Sequence, residues 1–246
     1  MSDTTLLEAR GVSKRFGGVH ALERVDFRVD AGEVVALAGD NGAGKSTLIK
    51  IISGVFPPST GEIRFDGQPV SFANPHEARA RGIETIYQDL ALADNLDVGA
   101  NVFLGREPMH RVLGLKVIDR KRMRREAAAA LETLEIGLDR LDRPVRALSV
   151  GQRQCVAIGR AIHWKARVLI MDEPTAALGV PEQRRVMALI RGLKASGVGV
   201  IFISHNLGDI FDVADRIVVL RRGNVVGERL AADASGDDIV RLMVGG

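Results

Sequence analysis

The chain has 246 residues and a formal net charge of +3, with 26% of its residues charged and 46% hydrophobic. That length buries a full core in one large domain, and so slight a basic excess is not the signature of a nucleic-acid binder. The longest apolar runs, such as VLIM at 168–171, are far short of the roughly 18 residues a membrane-spanning helix needs.

In chain order, the start MSDTTLLEARG lacks the charged head and apolar middle of a secretory leader, which predicts a cytoplasmic protein. ERVDFRV at 23–29 alternates polar and apolar residues, as a half-exposed strand near an edge does. EVVALA at 33–38 is near-continuously apolar and predicts a strand covered on both faces, followed by a helix over 45–53. DVGANVFLG (97–105), RKRMRREAAAALETL (120–134) and GQRQCVAIGRAI (151–162) all read as helical, which predicts a helical subdomain over about 89–162 inserted into the sheet domain. The basic run DRKRMRRE at 119–126 is read as a solvated helix face rather than a binding patch. The single cysteine, Cys155, forms no intrachain disulfide and reads as a small buried helix residue. Buried strands follow at VLIM (168–171), VGVIFIS (198–204) and RIVVLRR (216–222), with helices over 182–196 and 206–214. GDDIVRLMVGG at 236–246 reads as a short amphipathic helix packing on the core. This alternation predicts an α/β fold with a largely parallel sheet, its catalytic core formed by 1–88 and 163–246. The sequence holds no internal repeat and no low-complexity linker.

The segment EVVALAGDNGAGKSTLIKII at 33–52 places G-x-x-x-x-G-K-S, Gly39 to Ser46, between an apolar strand and a helix, the context a phosphate loop requires. Gly42 and Gly44 let the backbone bend around an anion, and the N–H groups of the loop and the helix N-terminus point at phosphate oxygens. Lys45 adds a charge near the β- and γ-phosphates, and the Ser46 hydroxyl is a ligand for Mg²⁺. Further on, LIMDEPTAALGV at 169–180 sets Asp172 and Glu173 directly after an apolar run. Alone the acid pair is either a strand stop or a metal and water site. Beside a phosphate loop, Asp172 fits the metal-side carboxylate and Glu173 the group that orients or deprotonates an attacking water. The acids lie 127 positions after Lys45, so only a folded sheet joins them. In RALSVGQRQCVAIGRAI, Ser149-Val150-Gly151 opens a helix with a second set of free N–H groups. Two anion-grasping helix ends in one chain suggest two copies facing each other, each completing the other's nucleotide site.

GDNGAGKST, LSVGQRQ, LIMDEPT and FISH, in this order and within roughly 9–228, resemble the nucleotide-binding cassette of ABC transporters. The resemblance implies the ABC ATPase fold: a P-loop NTPase core with a mostly parallel sheet, an antiparallel β edge and an inserted α-helical subdomain. It also implies ATP and Mg²⁺ as ligands. By this resemblance Gly39, Asn41, Gly42, Ala43, Gly44, Lys45, Ser46 and Thr47 hold the phosphates and Phe16 stacks on adenine. Asp172, Ser46 and Gln88 reach the metal, while Glu173, Gln88 and His205 act in hydrolysis, His205 as the switch residue at the γ-phosphate. Ser149, Gly151 and Gln152 match signature residues that touch the ATP of the opposing subunit.

Two departures stand out. Val150 takes the third place of the usual Leu-Ser-Gly-Gly-Gln, with its N–H still available. Gly179 stands where many members carry an aspartate that crosses the dimer interface. Both, with the GVPEQ that follows, are similar to the branch importing monosaccharides such as ribose, xylose or fructose. The resemblance further implies a second cassette (a homodimer), transmembrane permease subunits and an extracytoplasmic sugar-binding protein as separate chains. It places this one at the cytoplasmic face of the cell membrane, with no nucleic-acid partner. Other readings are a soluble ATPase of the same type acting on nucleic acid or the ribosome, and a nucleotide-sensing regulatory subunit with little turnover.

Overall fold

In chain order, β1 (Thr5–Phe16) and β2 (Val19–Asp30) form a hairpin, and β3 (Val34–Ala38) runs into α1 (Lys45–Ile52). Then come β4 (Thr60–Phe65), β5 (Gln68–Val70), α2 (Pro75–Ala80) and β6 (Ile83–Ile86). The middle of the chain holds α3 (Val98–Val102), β7 (Met109–Val112), β8 (Leu115–Ile118), α4 (Arg120–Glu132) and α5 (Val150–His163). The last third alternates: β9 (Val168–Asp172), α6 (Val180–Ala195), β10 (Gly199–Ile203), α7 (Leu207–Val213), β11 (Arg216–Arg221), β12 (Asn224–Leu230) and α8 (Gly236–Val244). This computed structural model describes residues 5–112, 114–132, 141–176 and 178–245.

Six strands in the order β12-β11-β3-β10-β9-β6 make the central sheet, parallel throughout except for the antiparallel edge strand β12. Its strands are apolar without a break because both faces are covered. Val35, Leu37, Ile170, Ile201 and Val218 face a core shared with α1 and with the antiparallel sheet β2-β1-β4-β5. Their neighbours Ala36, Leu169, Met171, Phe202 and Val219 face the opposite core, which α5, α6 and α7 close. The alternating run at 23–29 lies in β2, an edge strand of the antiparallel sheet. C-terminal helix α8 buries Ile239 and packs on β11 and β12, as its amphipathic pattern predicts; Gly246, in the predicted span, lies outside the described residues.

The inserted region has a core of its own, in which Val102, Phe103, Met123, Leu131 and Val145 meet Val156 of α5. Helix α5 thus serves two cores, turning Val156 to the insert and Ala157, Ile158 and Ala161 to the sheet. The region is not helical throughout: after the single short helix α3, the chain makes the hairpin β7–β8, all eight residues of which are exposed. The span read as a helix over 97–105 therefore stops at Val102, because Gly105 (φ 79°) and Pro108 break it. The predicted helix over 120–134 is present to Glu132, and residues 133–140 lie outside the described set.

One buried ion pair ties the layers. Arg216, 4% exposed at the start of β11, donates Nε and Nη2 to Glu33 (2.8 and 3.0 Å) and Nη2 also to the Arg28 carbonyl of β2 (2.9 Å). Removing Arg216 would leave the partly buried Glu33 charged with the Asp30 N–H (2.9 Å) as its remaining donor, and Glu228 without the cation 3.2 Å away, so Arg216→Ala should lower the unfolding free energy by about 3 kcal/mol. Urea titration with far-UV circular dichroism measures it, and adding Glu33→Gln should recover part of the loss.

Candidate functional site

The parallel strands share one C-terminal edge, and four of the predicted segments follow them there: the phosphate loop after β3, His205 after β10, Asp172 and Glu173 at the end of β9, and Gln88 after β6. Ligands of open α/β sheets bind at that edge. The loop curls tightly against the sheet. A Cβ on Gly39 (φ 146°) would lie 2.3 Å from the Leu220 carbonyl of β11, so this first turn admits no side chain. The Ala43 carbonyl accepts from Gly223 N (2.9 Å), whose own carbonyl accepts from Glu23 N in β2 (2.8 Å), which anchors the loop on both sheets. Among the described residues, the N–H groups of Gly42, Gly44, Lys45, Ser46 and Thr47 donate to no protein acceptor. They form the open ring of donors an anion needs.

Lys45 folds back over this ring, its Nζ donating to the carbonyls of Gly39 and Asp40. Burial lowers its pKa, against the pull of Glu173, Asp172 and Asp40, which favour its charged form. The Asp172 carboxyl is pushed above the usual carboxylate range, first by burial and then by repulsion from Glu173, with Lys45 and Lys50 only partly offsetting both. Glu173 holds a left-handed backbone (φ 52°), fixed by its N–H bond to the Ile203 carbonyl (2.9 Å). From there its Oε2 lies 2.9 Å from His205 Nδ1, on a ring left largely open to solvent.

Two adjacent acids whose charge Lys45 and Lys50 only partly offset suit a further cation. Mg²⁺ commonly takes one or two carboxylates and completes its octahedron with phosphate oxygens and water. Asp172 and Ser46 would supply one carboxylate and one hydroxyl, with Gln88 following β6 at the same sheet edge. Among the described residues no three His, Cys, Asp or Glu side chains form a cage for an ion. The donor set thus fits a metal that arrives with its phosphates.

The remaining predicted residues lie apart from this cluster. Phe16 is no core residue: it is 47% exposed at the end of β1, edge-on to Phe56 (5.3 Å), with the Lys14 ammonium beside both rings. Ser149, Gly151 and Gln152 open α5, and with Cys155, Glu182 and Arg185 they line a cleft of about 790 Å³ between α5 and α6. No phosphate-loop residue borders it. Ser149 and Gln152 bond reciprocally, Gln152 N to Ser149 Oγ (3.2 Å) and Ser149 N to Gln152 Oε1 (3.0 Å), a capping box. This leaves the N–H groups of Val150 and Gly151, among the described residues, without a protein acceptor. At Gly151 a Cβ would come within 2.5 Å of Glu182 Cγ, so the glycine lets α6 approach α5. The Glu182 carboxylate also lies 2.9 Å from where a side chain on Gly179 would begin.

The residues that hold this edge in place belong to none of the sequence motifs. Arg160 of α5 donates to the carbonyls of Ala91 (3.1 Å) and Leu90 (3.4 Å), just after Gln88. Fully buried Asn101 accepts from Ala93 N (2.7 Å) and donates to the carbonyls of Ala93, Leu96 and Asp97. Asn101 could have been noticed as the one polar side chain on the apolar face of its helix, whereas Arg160 has no local signature.

Comparison with known proteins extends this agreement over the whole chain. Residues 22–176 match the family model described as ABC transporter. The chain is 47% identical over 243 residues to the xylose/arabinose import ATP-binding protein XylG of Sulfolobus acidocaldarius, covering 99% of this chain and 94% of that protein. It is 52% identical over 240 residues to the ribose import ATP-binding protein RbsA 1 of Rubrobacter xylanophilus, but there it spans only 47% of the relative's length against 98% of its own. Of solved structures, a nucleotide-free ATP-binding cassette from an ABC transporter matches with a TM-score of 0.82 at 25% identity, over 98% of this chain and 96% of that one. A dimeric cassette in a post-hydrolysis state, bound to ADP and phosphate, matches with a TM-score of 0.76 at 26% identity, over 92% and 99%. In sequence, in fold and in the grouping of its motifs along one sheet edge, the chain belongs to the ABC transporter family, as one of its ATP-binding cassettes.

Proposed function

We propose that this chain binds and hydrolyses ATP as the energy-supplying subunit of an importer that carries a monosaccharide through a separate permease. The observation that carries the chemistry is the Glu173–His205 contact on the same sheet edge as Lys45 and Asp172. The free N–H groups of the phosphate loop hold the β- and γ-phosphates, and Lys45 releases its two carbonyl partners to meet their charge. The Ser46 hydroxyl, the Asp172 carboxylate and the Gln88 amide would hold Mg²⁺, which when bound would withdraw charge from the phosphates. Glu173, steadied by His205, accepts the proton of the water that attacks the γ-phosphorus, and ADP leaves with phosphate. Phe16 offers its exposed ring to the base.

Ser149, Gly151 and Gln152 border a different cleft from the phosphate loop, so the free N–H groups at this helix start, those of Val150 and Gly151, serve the nucleotide of a second cassette. Closure of the two copies around ATP, followed by hydrolysis and reopening, supplies the motion passed to the permease. No helix among the described residues is long and apolar enough to cross a membrane, in keeping with a peripheral subunit at its cytoplasmic face. The sugar specificity rests on the import proteins for xylose/arabinose and ribose that the chain resembles, and a sugar-binding protein outside the membrane would complete the system.

Lys45→Ala should weaken ATP binding at least tenfold, read by titration with a fluorescent ATP analogue. Glu173→Gln should keep that affinity and lower phosphate release about 100-fold or more; near-normal turnover would remove Glu173 from the chemistry. In proteoliposomes holding the cognate permease and binding protein, ATP hydrolysis should rise when ribose, xylose or fructose is supplied. Salt-dependent stimulation by nucleic acid instead would overturn the transport reading.

The raised pKa of Asp172 also sets a stability trend. A carboxyl with a raised folded pKa contributes stability that is full below its unfolded pKa and lost as pH rises through the folded value. Asp172→Asn should therefore unfold at higher urea than the parent at pH 7 without nucleotide. The difference should vanish below the ordinary carboxylate range, and ATP with Mg²⁺ should stabilise the parent more than the variant.

A further inference from the structure

The net charge of the chain is concentrated in one place. Residues 106–126 hold eight Lys and Arg against three Asp and Glu, a formal +5, while the rest of the chain sums to −2. This segment contains the β7–β8 hairpin, a two-stranded sheet standing alone, and such a ribbon is marginal in water. Its apolar side chains are bare: Met109, Val112, Leu115, Val117 and Ile118 are all exposed, Leu115 by 72%.

The register sorts these side chains. Val112 pairs with Leu115 and His110 with Val117, so one face of the hairpin carries Val112, Leu115 and Val117 together. The other face sets Arg111 directly opposite Lys116, and like charges across a ladder repel. The cation cluster continues onto α4, whose first turn holds Arg120, Lys121 and Arg122 and no acid, at the helix end that disfavours positive charge. Asp119 joins the two parts rigidly: its N–H bonds the Pro108 carbonyl at the hairpin base (2.8 Å), and its Oδ1 caps α4 at Arg122 N (2.9 Å). Among the described residues Arg111, Lys116, Arg120 and Lys121 have no ion-pair partner, whereas Arg122 bonds Glu126 (2.7 Å).

We propose that the β7–β8 hairpin and the first turn of α4 form a docking surface for an anionic phospholipid membrane. Val112, Leu115 and Val117 enter the headgroup boundary while Arg111, Lys116, Arg120 and Lys121 meet lipid phosphates. An acidic protein loop is the competing occupant, and the apolar side chains decide against it. Met109 and Ile118 are bare on the face opposite Val112 and Leu115, so a single protein surface would cover one set and leave the other in water. A fluid interface wets both. The pattern of an apolar edge flanked by unneutralised cations is that of interfacial segments, whose attachment to anionic lipid grows with each added cation. Of the basic run at 119–126 the proposed surface takes Arg120 and Lys121, while Arg122, Arg124 and Arg125 pair with acids. This inference stands apart from the ATPase chemistry and fits a cassette held at a membrane.

The test is co-sedimentation of the purified chain with vesicles of phosphatidylcholine containing about 30 mol% phosphatidylglycerol, against phosphatidylcholine alone. The parent should bind the anionic vesicles only, and raising salt from about 0.05 M to about 0.5 M should release it. Arg111→Ala/Lys116→Ala and Val112→Ser/Leu115→Ser should each bind about tenfold more weakly, with circular dichroism and solution ATPase unchanged. Arg184→Ala/Arg185→Ala, which removes two exposed cations of α6, should bind like the parent. Equal binding to both vesicles, no binding, or full binding by the two hairpin variants would overturn the proposal. So would attachment that requires permease in the vesicle whatever the lipid charge, since the occupant would then be a protein. A parent that binds lipid but hydrolyses no ATP would sink the functional reading and leave this one standing.

Discussion

The site depends on the register of three parallel strands. Val200 pairs with Val34 across β10 and β3, and Ile203 pairs with Asp172 across β10 and β9. Because the sheet is buried on both faces, a slip of one residue would send Ala36, Phe202 and Met171 into the opposite core, along with every neighbour of the same parity. Packing therefore locks the register, and the register sets the phosphate loop, His205 and the acid pair along one edge. Backbone bonds from the loops, such as Gly223 N to the Ala43 carbonyl and Glu173 N to the Ile203 carbonyl, then fasten them to the edge that the register has set. The chemistry is specified by apolar residues that never touch a ligand.

That edge is kept in electrostatic tension. Asp172 and Glu173 are neighbours in sequence and partly buried; Lys45 and Lys50 only partly offset the cost at Asp172, and burial disfavours the charge of Lys45 itself. A backbone in the left-handed region, uncommon for a residue with a side chain, aims Glu173 at His205 instead of back at Asp172. The strain and the unmatched charge share one logic. The free N–H groups call for an anion and the acid pair for a cation, and one metal-bound polyphosphate meets both demands. Substitutions that relieve this repulsion should stabilise the chain and disable it together.

The sequence was most legible where local chemistry and periodicity coincide. The glycine spacing before Lys45 and the acids after VLIM carry their meaning in a few adjacent residues, and the strands at 33–38 and 168–171 announce themselves by unbroken apolar runs. Elements whose reason lies elsewhere in the fold were not legible. Strands β1 and β4 are mixed in character because one face meets the parallel sheet and the other water, which blurs their period. The β7–β8 hairpin hid for a different reason: with every residue exposed it shows no burial pattern, and helices on either side drew it into a helical reading. Arg160 was silent because its hydrogen-bond partners lie 69 and 70 residues away in the chain.

Helix α5 is where two demands meet. Its capping box uses the side chains of Ser149 and Gln152 internally, so in the function proposed above recognition of a second copy's phosphates would fall to main-chain N–H groups, which valine at 150 supplies as well as glycine would. The same helix buries one side in the insert's core and the other in the sheet's, and through Arg160 it grips the carbonyls just past Gln88. A rotation of α5 on meeting another cassette must carry those carbonyls along or break both bonds. The backbone there has little slack, since Ala91 sits at φ 48° and the buried amide of Asn101 fixes the stretch from Ala93 to Asp97. Motion at the helix end would thereby be passed to the segment that bears Gln88, at the sheet edge where the proposed hydrolysis takes place.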